Sequence, residues 1–412
     1  METNTTQILS SAVLLALSFS LQACAPAGPV ASQNNSNSVV ESTELFSTAQ
    51  AIPALSPEET EQSAMALRER FVTLNASALQ TLAQAQPYSK IQLNLFEEAP
   101  LSILIEEVET PAAGNTVLTG RIDGDAESSV TLVLNQGVLA GNISRGEEEF
   151  EIRSVGEGVH AVRSVSPEAQ APCETQTTHD EAHDEGDAEM ESGFEMQSAA
   201  PLATPIVDVL VAYTPNAKSQ QGGKAGIEAL IQMGVADANR AYADSGVNLK
   251  VRLAGILELK TNETGNYFRD LESLKGTRDG RWDEVHRERD RLGADQVSLV
   301  GTYASNRATA GIGYFNSRDA SAFTVTQTSA FRQYTFVHEL GHNMGLDHSD
   351  GFVNSQGRFR TIMAYGSYPR IRRFSNPSIV YNGHRTGDGR HNEAGILNRN
   401  AAKLANLRTP LF

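Results

Sequence analysis

The sequence predicts an α+β (α/β-like) domain preceded by a β-rich unit, and three observations point there. Between residues 91 and about 165, short alternating runs such as Thr131-Leu132-Val133-Leu134 lie between turns containing Gly and Asn, as antiparallel strands require. From Ile206 a buried-strand run, a long helical pattern and a second strand follow in βαβ order. Residues 173–204 separate the two regions and carry many acidic side chains but no Lys or Arg, a composition that buries too little to fold.

At 412 residues the chain is long enough for two folded domains plus flexible segments. Residues 8–21 are apolar and run into Leu21-Gln22-Ala23-Cys24, which resembles a bacterial lipoprotein signal. Residues 1–23 are therefore read as an export signal and Cys24 as the lipidated residue, with ordinary secretion after cleavage as the alternative. The destination is the cell envelope or the medium. Residues 24–55, rich in Ala, Ser, Asn and Pro, read as a tether. Residues 56–172 form the β-rich unit, opened by a helix over 58–84 where Ala, Leu, Glu and Gln recur periodically. After the 173–204 linker, a natural protease target, residues 205–412 form the second domain. Its expected strands lie at 206–211, 249–257, 296–300, 311–315 and 322–326. Its expected helices lie at 223–244, 283–292, 331–344 and 391–407. Beyond the first 25 residues no apolar run reaches the length of a membrane span, and no repeat of convincing period exists.

Charge divides the chain in the same place. The net charge of -17 splits into -23 for residues 1–200, with 7 Lys/Arg against 30 Asp/Glu, and +6 for residues 201–412, with 26 against 20. Complementary halves suit an acidic region covering a basic one; a merely solubilising acidic half is the alternative. The acidic half would repel phosphate and no aromatic-basic module is present, which argues against a nucleic-acid partner. With only two cysteines, Cys24 and Cys173, a disulfide framework is excluded.

The segment that carries chemistry is His338-Glu339-Leu340-Gly341-His342-Asn343-Met344-Gly345-Leu346-Asp347-His348. Residues four apart share one helix face, so His338 and His342 can offer two imidazole nitrogens to one ion. Gly345 can take the left-handed conformation that ends a helix, and His348 then returns as the third ligand. Three protein ligands leave an open position, the catalytic arrangement of zinc, and Glu339 is placed as general base for a water there. One zinc ion is the expected cofactor; calcium has no support in the sequence. A metal-binding or adhesive lipoprotein without turnover is the competing class, and it has no need of Glu339.

This segment resembles the metzincin metalloproteases at all three histidines, the glutamate and the glycine. Thr361-Ile362-Met363-Ala364-Tyr365 is similar to the methionine turn of that family. The nearest resemblance is to reprolysin-like enzymes, especially bacterial peptidyl-Asp metalloendopeptidases, and it continues through Phe374-Ser375-Asn376-Pro377, Tyr381-Asn382-Gly383 and Thr386-Gly387, covering about residues 205–408. It implies a twisted mixed sheet, an active-site helix and a structural Met363 under the metal. It also implies a catalytic Tyr365 that stabilises the tetrahedral intermediate, with a tyrosine merely packed there as the alternative. The family walls its substrate pocket with the stretch after that turn, where Arg370, Arg372 and Arg373 would favour an acidic residue after the cut bond. Two departures bear on subfamily and substrate: Ser349 stands where the reprolysin-like pattern has Asp, and the bracing cysteines of many relatives are missing.

Cys173 lies where the β-rich unit meets the linker, and a thiolate is a good zinc ligand. It is read as a cysteine switch filling the open metal position until the N-terminal region is removed, with an incidental thiol as the alternative. Asp180, Asp184 and Asp187 are candidate self-processing sites, while His179 and His183 read as solvated. The expected partners are protein or peptide substrates, the chain's own pro-region as inhibitor, and a membrane only through the lipid.

Overall fold

The structure, a computed structural model, describes residues 44–166, 173–176, 203–303, 309–315 and 319–409. A first unit, residues 1–37, lies outside them, as do Cys24, His179, Asp180, His183, Asp184 and Asp187. The second unit, residues 38–412, holds two large sheets and the helices around them.

Its N-terminal part is a nine-stranded antiparallel sheet. The strands are β1 (Phe46–Thr48), β2 (Arg68–Leu74), β3 (Lys90–Leu93), β4 (Leu101–Glu109), β5 (Asn115–Ile122), β6 (Ser129–Asn135), β7 (Val138–Arg145), β8 (Glu148–Gly156) and β9 (Val159–Val165), in spatial order 1-2-9-8-7-6-5-4-3. The meander from β3 to β9 follows the alternation read from the sequence. Two corrections concern its first strands. β1 falls inside the expected tether and pairs with β2 from Phe46↔Leu74 to Thr48↔Val72. The helix expected over 58–84 is instead α1 (Pro57–Met65), then β2, then α2 (Ala76–Ala83). Ser56 Oγ accepts from Glu59 N at 3.1 Å and Asn75 Oδ1 from Ser77 N at 3.0 Å, so each helix has its own N-cap. Between them Phe71-Val72-Thr73 favours the extended chain and finds β9 as its partner.

The C-terminal part is a mixed six-stranded sheet flanked by helices. In chain order it comprises β10 (Glu174–Gln176), β11 (Ile206–Tyr213), α3 (Pro215–Gln220), α4 (Lys224–Asp244), β12 (Lys250–Glu258), α5 (Tyr267–Lys275), α6 (Glu284–Leu292), β13 (Gln296–Gly301), β14 (Gly311–Tyr314), β15 (Phe323–Gln327), α7 (Thr335–Asn343) and α8 (Glu393–Leu404). The strand order is 10-14-15-13-11-12, parallel except for β14 against β15. β10 corrects the reading of residues 173–204 as unable to fold, because its first residues borrow a partner: Glu174↔Ile312 to Gln176↔Tyr314. α3 and α5 are additional to the expected elements. No described helix is long and apolar enough to cross a membrane.

α4 lies between the two sheets. Ala229, Leu230, Ile231 and Met233 are fully buried and share one core with Val117, Val133 and Ala140 of the first sheet and Val209 and Val211 of the second. Burying each large aliphatic side chain contributes about 1.5–3 kcal/mol. The polar part of this junction is also buried: Thr131 Oγ1 donates to Asp237 Oδ1 at 2.6 Å, and Arg153 Nη1 lies 3.7 Å from Met233 Sδ. Its rim carries the ion pairs Arg240–Glu106 at 3.0 Å, Arg373–Glu127 at 2.7 Å and Arg358–Glu147 at 2.5 Å. A cavity of about 140 Å³ lined by Glu106, Arg121, Glu127, Asp244 and Arg372 opens between them.

α8 is anchored through a buried carboxyl. Glu393 accepts from Ser375 N, and its own N–H donates to Ser375 Oγ at 2.9 Å. Burial pushes this acid up to about 8, against the hydrogen bonds from Ser375 and Thr361. Since the folded-state value is raised above the ordinary glutamate value of 4.5, the stability contribution is full below about pH 4.5 and is lost as pH rises through about 8. Glu393→Gln is therefore expected to flatten the fall in stability between pH 5 and 9, a fall of roughly 3–5 kcal/mol from this group alone. Denaturant melts at several pH values would show it; identical slopes for both proteins would refute it.

Candidate active site

The residues 331–344, read as one helix, are split. A 3₁₀ turn over Thr328–Gln333 ends at Tyr334, whose φ of 59° is left-handed, and α7 begins afresh at Thr335. The kink turns Tyr334 inward, where its hydroxyl meets Ser129 Oγ of β6 at 3.0 Å. Asn343 Nδ2 donates to Tyr314 O at 2.8 Å and Phe323 O at 3.2 Å, fastening α7 to β14 and β15. After α7, Gly345 at φ 90° reverses the chain, as its sequence position implies.

That reversal brings the three histidines together. His338 Nε2 and His342 Nε2 are 3.0 Å apart, His342 and His348 Nε2 3.0 Å, and His338 and His348 Nε2 3.2 Å. His338 Nδ1 lies 2.9 Å from Ile362 O and His342 Nδ1 2.8 Å from Leu346 O. A carbonyl can only accept, so both Nδ1 atoms carry the proton and both Nε2 atoms are bare lone pairs. Burial first, then the neighbouring imidazoles, hold His338 well below its ordinary range and His342 at about 3; burial takes His348 to about 4. All three rings are thus neutral at pH 7. Nitrogens sharing one tetrahedral ion at about 2.05 Å would stand roughly 3.3 Å apart, close to the observed spacing.

Glu339 is fully buried beside them. Strand β14 closes over it: a Cβ at Gly311 would lie 2.5 Å from Glu339 Oε1, and one at Gly313 3.2 Å from Glu339 O. Only glycines allow this approach. The Gly311-Ile312-Gly313 alternation is the sequence signal for that contact, and motif spacing around the histidines does not draw it in. Below the helix, Met363 is fully buried, and a Cβ at Gly341 would sit 2.8 Å from its sulfur.

Cys173 is the free cysteine among the described residues, and it is buried. Its sulfur, a ring nitrogen of His338 and a carboxylate oxygen of Glu339 all lie within 4.8 Å of one another. Burial and then the Glu339 carboxylate push the thiol up, while Arg370 and Arg360 pull it down. Tyr365 is 41% exposed; its hydroxyl donates to Cys173 O and lies 2.9 Å from His348 Nε2.

The three arginines expected around a substrate pocket part company. Arg370 is buried next to the site, with Nη1 donating to Gln333 O at 3.0 Å. Arg372 and Arg373 are engaged elsewhere. Arg372 donates to Thr131 Oγ1 at 3.2 Å and lies 3.6 Å from Asp237 Oδ1, and Arg373 pairs with Glu127. Both answer acidic groups at the junction with the first sheet, which no local pattern reveals. Arg360, which carries no signal of its own in the sequence, pairs with Arg370 through a backbone bridge and is 4% exposed.

Bare lone pairs facing one another at 3 Å repel unless a cation lies among them, so the donor set suits a borderline-soft divalent ion. With a buried carboxylate alongside, the fold and site define a metal-dependent hydrolase. Residues 203–389 match the reprolysin-like metallopeptidases of family M12B. The peptidyl-Asp metalloendopeptidase of Stenotrophomonas maltophilia K279a is 30% identical over 304 residues, covering 68% of this chain and 71% of that protein. That of Xanthomonas campestris is 30% identical over 291 residues, covering 66% and 68%. A likeness to the crystal structure of metalloproteinase-II from Bacteroides fragilis covers 72% of this chain and 90% of that one, with TM-score 0.46 and 17% identity. The chain belongs to the reprolysin-like metallopeptidases and is a zinc metalloendopeptidase.

Proposed function

We propose that the chain is a latent endopeptidase of metzincin type, in which residues 44–166 and Cys173 act as a pro-region and Met363 forms the methionine turn. The observation that carries this reading is the placing of Cys173 against His338 and Glu339, where an incoming peptide bond would have to lie. His338, His342 and His348 would hold the zinc, which when bound supplies Lewis acidity to a water and to the substrate carbonyl. Glu339 takes the proton from the attacking water at a carboxylate oxygen and returns it to the leaving amine. The Tyr365 hydroxyl, beside His348, donates to the oxygen on which negative charge develops. Burial holds this hydroxyl above its ordinary range, so it stays protonated as a donor.

β10 supports the same reading. It covers β14, the edge to which an extended substrate would add as a further strand. Arg370, buried next to the metal site, is the proposed origin of a preference for an acidic side chain after the cut bond. Export, with Cys24 lipidated, completes the proposal.

The deciding experiment is limited proteolysis after Gln176, then digestion of a peptide library with and without a chelator. Cuts preceding Asp or Glu that vanish on chelation are expected. A processed, zinc-loaded protein that cuts nothing would refute the endopeptidase reading.

A further inference from the structure

The turn that carries Tyr365 is fixed at its start and open in its middle. Met363 and Ala364 are buried, and Ala364 N donates to Thr361 O at 3.1 Å. Gly351 comes so close that a Cβ there would lie 2.2 Å from Ala364 N. Tyr365, Gly366 and Ser367 are then exposed, with Gly366 at φ 149°. Among the described residues no backbone–backbone hydrogen bond reaches residues 365–368. An exposed stretch of this kind moves unless something else ties it down. The Tyr365 hydroxyl nonetheless has one defined place, 2.9 Å from His348 Nε2, with the two rings 4.1 Å apart. It donates there to Cys173 O, a peptide carbonyl like the one a substrate presents.

The tie is the side chain of Arg360. Its Nη1 donates to Ala364 O at 2.7 Å and its Nε to Tyr368 O at 2.9 Å. One planar guanidinium thus joins the carbonyl before Tyr365 to the carbonyl three residues after it. The main chain of the same residue holds the return, with Arg360 N donating to Pro369 O at 2.9 Å and Ile371 N to Arg360 O at 2.9 Å. A buried charge is tolerated only with acceptors in place, and the two carbonyls supply them. Hydrogen bonds from an ionised donor are about twice as strong as neutral ones, which suits them to ordering a short exposed turn. Every residue of this clamp follows the linker, so processing removes none of it. Arg370 differs, since its Nη1 donates to Gln333 O, outside the turn.

We propose that Arg360 is a positioning residue for peptide hydrolysis: by tying Ala364 O to Tyr368 O it holds the Tyr365 hydroxyl beside the metal site, where that hydroxyl meets the charge developing on the substrate oxygen. This rests on the reading of Tyr365 as the oxyanion donor and names the residue through which the fold places it. Misplacing such a group by about 1 Å can cost about 10²-fold in rate. A lysine keeps the charge, but its single ammonium on a flexible stem does not reproduce two donors fixed in one plane.

The test uses the full chain, processed after Gln176, as wild type, Arg360→Lys, Tyr365→Phe and the double variant. For each, kcat and KM on one peptide and the zinc content are measured. Tyr365→Phe should lower kcat about 10²-fold, as loss of an oxyanion donor does. Arg360→Lys should lower kcat about 10-fold or more, with KM within about 2-fold and zinc at one ion per chain, because the contact it disturbs forms in the transition state. The double variant should lie within about 3-fold of Tyr365→Phe, since an absent hydroxyl cannot be misplaced. Where Arg360→Lys yields no folded protein, a glycine inserted after Ser367 takes its place in the cycle; it slackens the turn and leaves the guanidinium intact. Losses that multiply in the double variant overturn the positioning role and leave Tyr365 as donor. So do wild-type kcat in the Arg360→Lys or insertion variant, and loss of zinc from either. Wild-type kcat in Tyr365→Phe overturns both roles, while the endopeptidase reading still stands on chelation and on Glu339→Gln.

Discussion

Glu339→Gln is expected to lower kcat/KM of the processed enzyme by about 10²–10⁴-fold, the range ascribed to a positioned general base. Glutamine keeps the volume of the side chain under Gly311 but cannot take a proton at the same atom. The three imidazoles are unchanged, so zinc should remain at one ion per chain. Peptide kinetics combined with metal analysis check both halves of this expectation. Retained turnover removes the base role, and lost metal would mean that the carboxylate serves the ion rather than the water.

Cys173→Ser is expected to raise the activity of the uncleaved chain by about 10-fold or more, since loss of about 1.4 kcal/mol from the blocking contact already gives that factor. The substitution removes a soft sulfur ligand and leaves β10 paired to β14. The measurement is the initial rate on a short peptide before processing, divided by the rate after it. Wild-type latency in the Ser variant would assign the blockade to β10 and the first sheet alone. The thiol is buried beside His338 and Glu339, so a titrating reagent should also reach it faster once the N-terminal part is detached.

The metal site is legible because everything it needs is local: one helical turn from His338 to His342, a glycine reversal, and a third histidine six residues on. The alternation of the first sheet is legible for a similar reason, since period two marks a strand whatever its partner. Partner-dependent features are not. Residues 68–74 sit between two helix-favouring stretches and become a strand because β9 offers an edge. Residues 174–176 are ordered by β14, more than a hundred positions away. Arg370, Arg372 and Arg373 look like one group in the sequence, yet the three side chains answer different partners.

The junction beneath α4 has a graded response to brine built into it. In about 1 M salt electrostatic reach shrinks to about 3 Å, and the solvent-washed bridge Arg358–Glu147, with both side chains more than half exposed, fades first. The Arg372–Asp237 contact, dry and enclosed, persists. Saline is therefore expected to peel the perimeter while the centre still grips, so that a chain nicked after Gln176 should release its N-terminal part faster in concentrated electrolyte than in dilute buffer, as size-exclusion profiles over time would show.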